Sequence, residues 1–145
     1  MRTIVFLSCC KSKLDHPAPA RELYTGALFR KALAYAEQVL YADAIYVFSA
    51  KYGVVGVDEV IAPYSLVMKN SGTIKEDGIG MTAAAIKEWR AKVIPQVEAL
   101  VGQHRPIYLC NSSYREGMPA GNIPMEGMVF GQCLQWLTNQ LEEKK

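Results

Sequence analysis

Three short, almost wholly apolar runs do most to limit how this chain can fold: "TIVFL" at 3–7, "AIYVF" at 44–48 and "PIYLC" at 106–110. Each is rich in β-branched or aromatic residues, which suit a pleated strand. None alternates apolar with polar. Each therefore predicts a strand covered on both faces, as in a parallel sheet.

Helical periodicity fills the gaps. In "ALFRKALAYAEQVL" at 27–40, Leu28, Ala32, Tyr35 and Val39 recur at helical spacing with Phe29, Ala36 and Leu40 beside them. In "TAAAIKEWRAKVIPQVEALV" at 82–101, Ile86, Trp89, Val93, Val97 and Leu100 mark a face, and Thr82 is placed to cap it. Pro95 is expected to kink or split that helix. A last helix, roughly Val129 to Leu141, carries Phe130, Cys133, Leu134, Leu137 and Leu141 on one side. Strand, helix, strand, helix, strand, helix predicts an α/β protein: a three-layer Rossmann-like domain with a short, mostly parallel sheet.

Size agrees with one domain over 1–145, since 145 residues with 50% hydrophobic and 21% charged are enough to bury one core. The apolar run before Lys11 and Lys13 is too short for a secretory signal. No stretch approaches the roughly 18 to 20 apolar residues of a membrane span. A soluble, cytoplasmic protein with no membrane partner is expected. Cys9, Cys10, Cys110 and Cys133 form no paired CxxC motifs and the histidines are only His16 and His104, so neither a structural zinc site nor a disulfide framework is expected. The formal charge of +2 does not by itself name nucleic acid as a partner. Oligomeric state is not legible.

In a sheet of this kind ligands bind beyond the carboxyl ends of the strands. "SCCKSK" follows the first strand, "SAKYG" the second and "NSSYREG" the third. These loops would bring Ser8, Cys9, Lys11, Lys13, Ser49, Lys51, Tyr52, Asn111, Ser112, Tyr114 and Arg115 to one edge, cationic and rich in hydroxyls. Cations and hydroxyls suit a phosphate, and tyrosines offer flat faces for a base or sugar. Any one of them, taken singly, is what an ordinary solvent-facing loop carries. Three such loops on one edge favour a site.

The second loop extends through "SAKYGVVGVDEVIAPYS" at 49–65, read as one polar loop. Within it Gly53 would allow close backbone approach to a ligand, and Tyr64 would form a wall with Tyr52. Glu59 there, and Glu126 in "IPMEGMVFGQ", are candidate catalytic carboxylates, able to orient water or stabilise charge developing on a sugar. Each is equally a surface or helix-capping carboxylate. No GxxxxGK[ST] occurs, which excludes a P-loop. "GIG" at 78–80, read as opening a helix, follows no strand and lacks the third glycine of a dinucleotide fingerprint. No cofactor is expected. Cys9 or Cys10 as a nucleophile, activated by Lys11, is a further reading.

The segments "LSCCKSK", "PAPARELYTGALFRKALAYAE", "SAKYGVVGVDEVIAPYSL", "YREGM" and "PMEGMVFGQCLQWL", in that order, resemble a small bacterial and phage family classed as a domain of unknown function. That family's pattern has Asp-Pro where this chain has Gly56 and Val57, and Asp where it has Ser65. Ser49, Tyr52, Gly53, Ile61, Pro63 and Tyr64 are also similar to the matching segment of the YaaA family of peroxide-stress proteins. Glu59 falls on an acidic position there. The YaaA resemblance implies a uracil-DNA-glycosylase-like α/β fold and nucleobase or DNA chemistry.

The resulting expectation is an enzyme acting on a nucleotide, nucleoside or nucleobase, breaking or exchanging an N-glycosidic bond, with DNA as a further candidate partner. Lysines and Arg115 would hold phosphates and Asn111 would read a base edge. The alternative is a noncatalytic nucleotide- or DNA-binding stress protein.

Overall fold

The computed structural model describes residues 2–67, 74–75, 78–80, 82–110 and 112–144. In chain order its elements are β1 (Ile4–Ser8), β2 (Ala18–Pro19), α1 (Ala20–Leu23), α2 (Ala27–Gln38), β3 (Ala44–Ser49), β4 (Gly53–Gly56) and β5 (Val60–Ile61). There follow β6 (Leu66–Val67), β7 (Ile74–Lys75), β8 (Gly78–Gly80), α3 (Ala83–Val101), β9 (Ile107–Leu109), α4 (Ser112–Arg115) and α5 (Phe130–Lys144). The chain is a mixed α/β protein built on a four-stranded, mostly parallel sheet of order β4-β3-β1-β9.

The three apolar runs form the three parallel strands. β1 lies between β3 and β9, with Phe6 opposite both Tyr46 and Tyr108. Its Ile4, Val5, Phe6 and Leu7 are each at most 1% exposed, as expected of a strand flanked by others and covered on both faces. One face carries a row of rings from Phe6, Tyr46, Phe48 and Tyr108. Trp89 of α3 closes edge-on against Phe48 at 5.9 Å. The other face carries Leu7 and Leu109, which share a hollow with Phe29 and Ala32 of α2. α5 packs along α2, with Tyr35 and Trp136 in edge contact at 5.1 Å.

β4 was not apparent in the sequence, which reads 49–65 as loop. It runs antiparallel to β3, pairing Ser49 with Gly53 through Tyr46 with Gly56, and forms one edge of the sheet. A three-residue connection joins the two strands, and Gly53 closes it at φ 80°. A Cβ on Gly53 would also lie 3.3 Å from Val93 of α3. The backbone approach that glycine permits here is therefore to a core helix. β5 pairs with β2, and Gly78–Gly80 is a strand pairing β6 and β7 where a helix start was expected.

α3 begins where the cap predicted: Thr82 Oγ1 accepts from the Ala85 amide at 3.1 Å. Pro95 does not split it. The helix runs unbroken from Ala83 to Val101, because Val93, Val97 and Val101 on either side of the proline are at most 2% exposed and hold both halves on the sheet. Among the described residues no helix is long and apolar enough to cross a membrane.

Candidate functional site

At the carboxyl ends of β1 and β3 the structure assembles a buried chain of hydroxyls. Ser49, 0% exposed, donates its hydroxyl to Tyr64 Oη at 2.8 Å and accepts the Tyr52 amide at 3.0 Å. Tyr64 Oη lies 2.7 Å from Tyr24 Oη. Trp89 Nε1 donates to the Ser49 carbonyl at 2.8 Å, tying this chain to α3. Beside it Cys9 Sγ lies 3.1 Å from Tyr114 Oη. Lys13 extends its ammonium over the Tyr64 ring, 4.3 Å from the centroid, and 5.8 Å from that of Tyr24. Cation–π attraction holds it there, while burial lowers its pKa from the ordinary lysine value.

Burial, reinforced by the neighbouring Cys9, pushes the Tyr24 and Tyr64 hydroxyls far above the ordinary tyrosine value of 10.0, and burial does the same to Tyr108. In the unfolded chain these groups ionise near pH 10, so above that pH the native state binds more protons. Their contribution to stability is complete below the unfolded value and is lost as pH rises towards the folded ones. Melting temperature should therefore fall as pH rises beyond about 10. In Tyr64→Phe, with one such hydroxyl removed, it should fall less steeply. Identical slopes for the two proteins would clear Tyr64 of the effect.

A cleft adjoins this cluster. It consists of two hollows of about 510 and 530 Å³, within the size range of small-molecule sites. The first lies between the Ser8–Ser12 segment and the start of α2, where Gly26 provides no side-chain cap for the helix amides. The second lies between Tyr108–Cys110, Arg115 and the segment around Met125 and Met128. Ser8, Leu28, Leu109 and Phe130 line both. No aspartate or glutamate among the described residues lines either hollow. Arg115 has no carboxylate within ion-pair distance among those residues, and its buried Nε lacks a hydrogen-bond partner.

The residues singled out in the sequence thus fall into separate groups. Ser8, Cys9, Lys11 and Arg115 line the cleft. Lys13, Ser49, Tyr52 and Tyr64 belong to the hydroxyl cluster, and Cys9 and Tyr114 join the two. Lys51 is exposed at the hairpin, with its ammonium 5.3 Å from the Tyr52 ring centroid. Asn111 lies outside the described residues. Glu126 is exposed, between the cleft-lining Met125 and Gly127.

Glu59 is not brought to this edge. It is exposed and shares a hollow with Arg21, Asp58 and Ala44–Tyr46, at the opposite end of β3, and its carbonyl accepts from the Ala20 amide at 2.9 Å. The hairpin accounts for this, because β4 carries the chain back from Ser49 towards the start of β3 before Glu59 is reached. The cysteines are free thiols. Burial raises the Cys10 pKa, opposing the thiolate that a nucleophile requires.

Two residues were missed. Tyr24 stands in the short "YTG" stretch between α1 and α2, which has no period to mark it, and only its contact with Tyr64 reveals it. Phe130 falls on the apolar stripe of the last helix, which predicts a core position, yet it is 62% exposed at the cleft.

Fold and site together define a mixed α/β protein with a small-molecule-sized cleft, lined by cations and hydroxyls, at the carboxyl edge of its parallel strands. The chain belongs to a family of unknown function (DUF6884), whose family model matches residues 4–139. No curated protein and no solved structure shows a significant match to it.

Proposed function

We propose that this protein handles a nucleobase-containing, phosphorylated ligand in the cleft, on a Rossmann-like scaffold of the uracil-DNA-glycosylase type, and that it breaks or exchanges an N-glycosidic bond. The observation that carries this reading is the charge of the cleft: Lys11 lies in one wall and Arg115 in the other, and among the described residues no acidic side chain lines either. Such a cleft favours an anion. Leu28, Leu109 and Met125 supply the apolar walls that a base or sugar requires. The YaaA-like "SAKYG…IAPY" segment, which contributes Ser49, Tyr52 and Tyr64, agrees with nucleobase chemistry. Glu126 at the rim is the carboxylate assigned to orient water or stabilise an oxocarbenium-like sugar. Glu59, at the far end of β3, takes no part.

That same lack of a lining carboxylate favours one second reading, a noncatalytic nucleotide- or DNA-binding protein.

A thermal-shift screen against bases, nucleosides, nucleotides and short DNA tests both. A nucleotide at a hundred times its Kd should stabilise the fold by about 2.7 kcal/mol. Loss of charge-assisted bonds in Arg115→Ala should weaken binding about 10- to 150-fold. Release of free base, abolished in Glu126→Gln, selects the enzyme; tight binding without turnover selects the second reading. Silence across every base-containing compound would end both.

A further inference from the structure

Phe130 is the first residue of α5 and, with Val129 before it, is among the most exposed large apolar residues, at 62% and 67%. The apolar stripe continues behind it to Leu137, which is fully buried, so the exposure begins where α5 reaches the cleft. A phenylalanine left in water contributes little to folding. Its position supplies another use, because Phe130 lines both hollows and so stands on the ridge where they meet. Lys11 lies in the wall on one side of that ridge and Arg115 in the wall on the other. An apolar ring alone would suit any flat or greasy ligand. A ring between two cationic walls suits a planar heterocycle that carries acceptors and an anionic group.

Taking the cleft as the nucleotide site proposed above, we infer that Phe130 is the platform on which the ligand's base stacks, with the base spanning the ridge and the phosphate held in one of the cationic walls. Stacking of this kind tolerates any base, because each presents a π-face. Phe130 therefore sets preference for a base-bearing ligand over a bare sugar phosphate. Choice among bases falls to the polar groups around it.

The test compares wild type, Phe130→Ala and Phe130→Tyr by calorimetric titration with nucleoside monophosphates and with ribose 5-phosphate. Phe130→Ala should bind the nucleotides about 5- to 150-fold more weakly, and ribose 5-phosphate as wild type does. Phe130→Tyr, which keeps the ring, should retain the nucleotide affinity. Because the side chain is mostly exposed, the unliganded melting temperature should stay unchanged, which separates a lost stack from a damaged fold. Wild-type nucleotide affinity in Phe130→Ala overturns the stack and leaves the nucleotide reading standing. If that variant instead changes only the concentration at which the protein self-associates, the Val129–Phe130 surface is a contact between copies and the stack is again overturned. Failure of wild type to bind any nucleotide removes both.

Discussion

Replacing Phe6 with alanine should cost about 3 to 5 kcal/mol, the range for deleting a fully buried aromatic ring. Phe6 is 0% exposed and lies in the middle strand of the sheet. Its ring stacks on Phe48 at 5.0 Å and on Tyr46 and Tyr108 at 5.6 Å each. The ladders on both sides of β1 limit how far the void can close, which places the cost toward the upper end. β1 is paired to β3 and β9, so neither neighbour can move inward without breaking its ladder. Domains of this kind are stable by about 5 to 15 kcal/mol, so the variant would stand close to its unfolding midpoint. Urea denaturation measures it, with Phe6→Leu as a milder comparison that refills part of the space. A loss below about 1 kcal/mol for the alanine would show that the ring row does not pack as described.

Gly121→Ala should cost about 3 kcal/mol, the top of the usual overpacking range. Gly121 has no left-handed backbone, so the effect is steric alone. A Cβ there would lie 2.4 Å from the Pro106 carbonyl oxygen and 2.8 Å from the Tyr108 ring. The carbonyl cannot retreat freely: it accepts the Asn122 amide at 2.9 Å, while the Tyr108 amide donates to the Asn122 carbonyl at 2.9 Å. Relief of the clash breaks this bridge between β9 and the segment that walls the second hollow. Melting temperature should fall by about 10 °C, given a few degrees per kcal/mol at this chain length. Ligand affinity should fall with it, since Ile123, Met125 and Met128 follow directly. A shift under about 2 °C would mean that the segment yields and the bridge is weak.

Much of the scaffold was legible because it depends on local pattern. The three strand runs are almost wholly apolar and rich in β-branched or aromatic residues, as suits a strand covered on both faces, and the helices between them repeat at 3.6 residues. The Thr82 cap was equally readable, being a hydroxyl one step before a helix. β4 was not, since "GVVG" is too short to mark itself and is a strand only because β3 lies beside it. β2 and β5, two residues each, are defined wholly by each other. Pro95 misled because the local rule counts a lost hydrogen bond and a clash, whereas three buried valines hold the helix together across it.

For the site, the sequence by itself determined which end of the sheet to examine. Ser8, Lys11 and Arg115 follow strands, and parallel strands must all end on one side, so chain direction alone assembled them. Whether those residues share one pocket was decided by the tertiary structure. It placed Ser49 and Tyr64 in a buried hydroxyl chain with an unsuspected Tyr24, opened the cleft beside that chain, and turned Glu59 to the opposite end of β3. It also left Phe130 in water although its spacing matches the buried face of α5. Periodicity states which side of a helix can be apolar; where the covering element stops is a long-range fact, fixed by packing between segments a hundred residues apart.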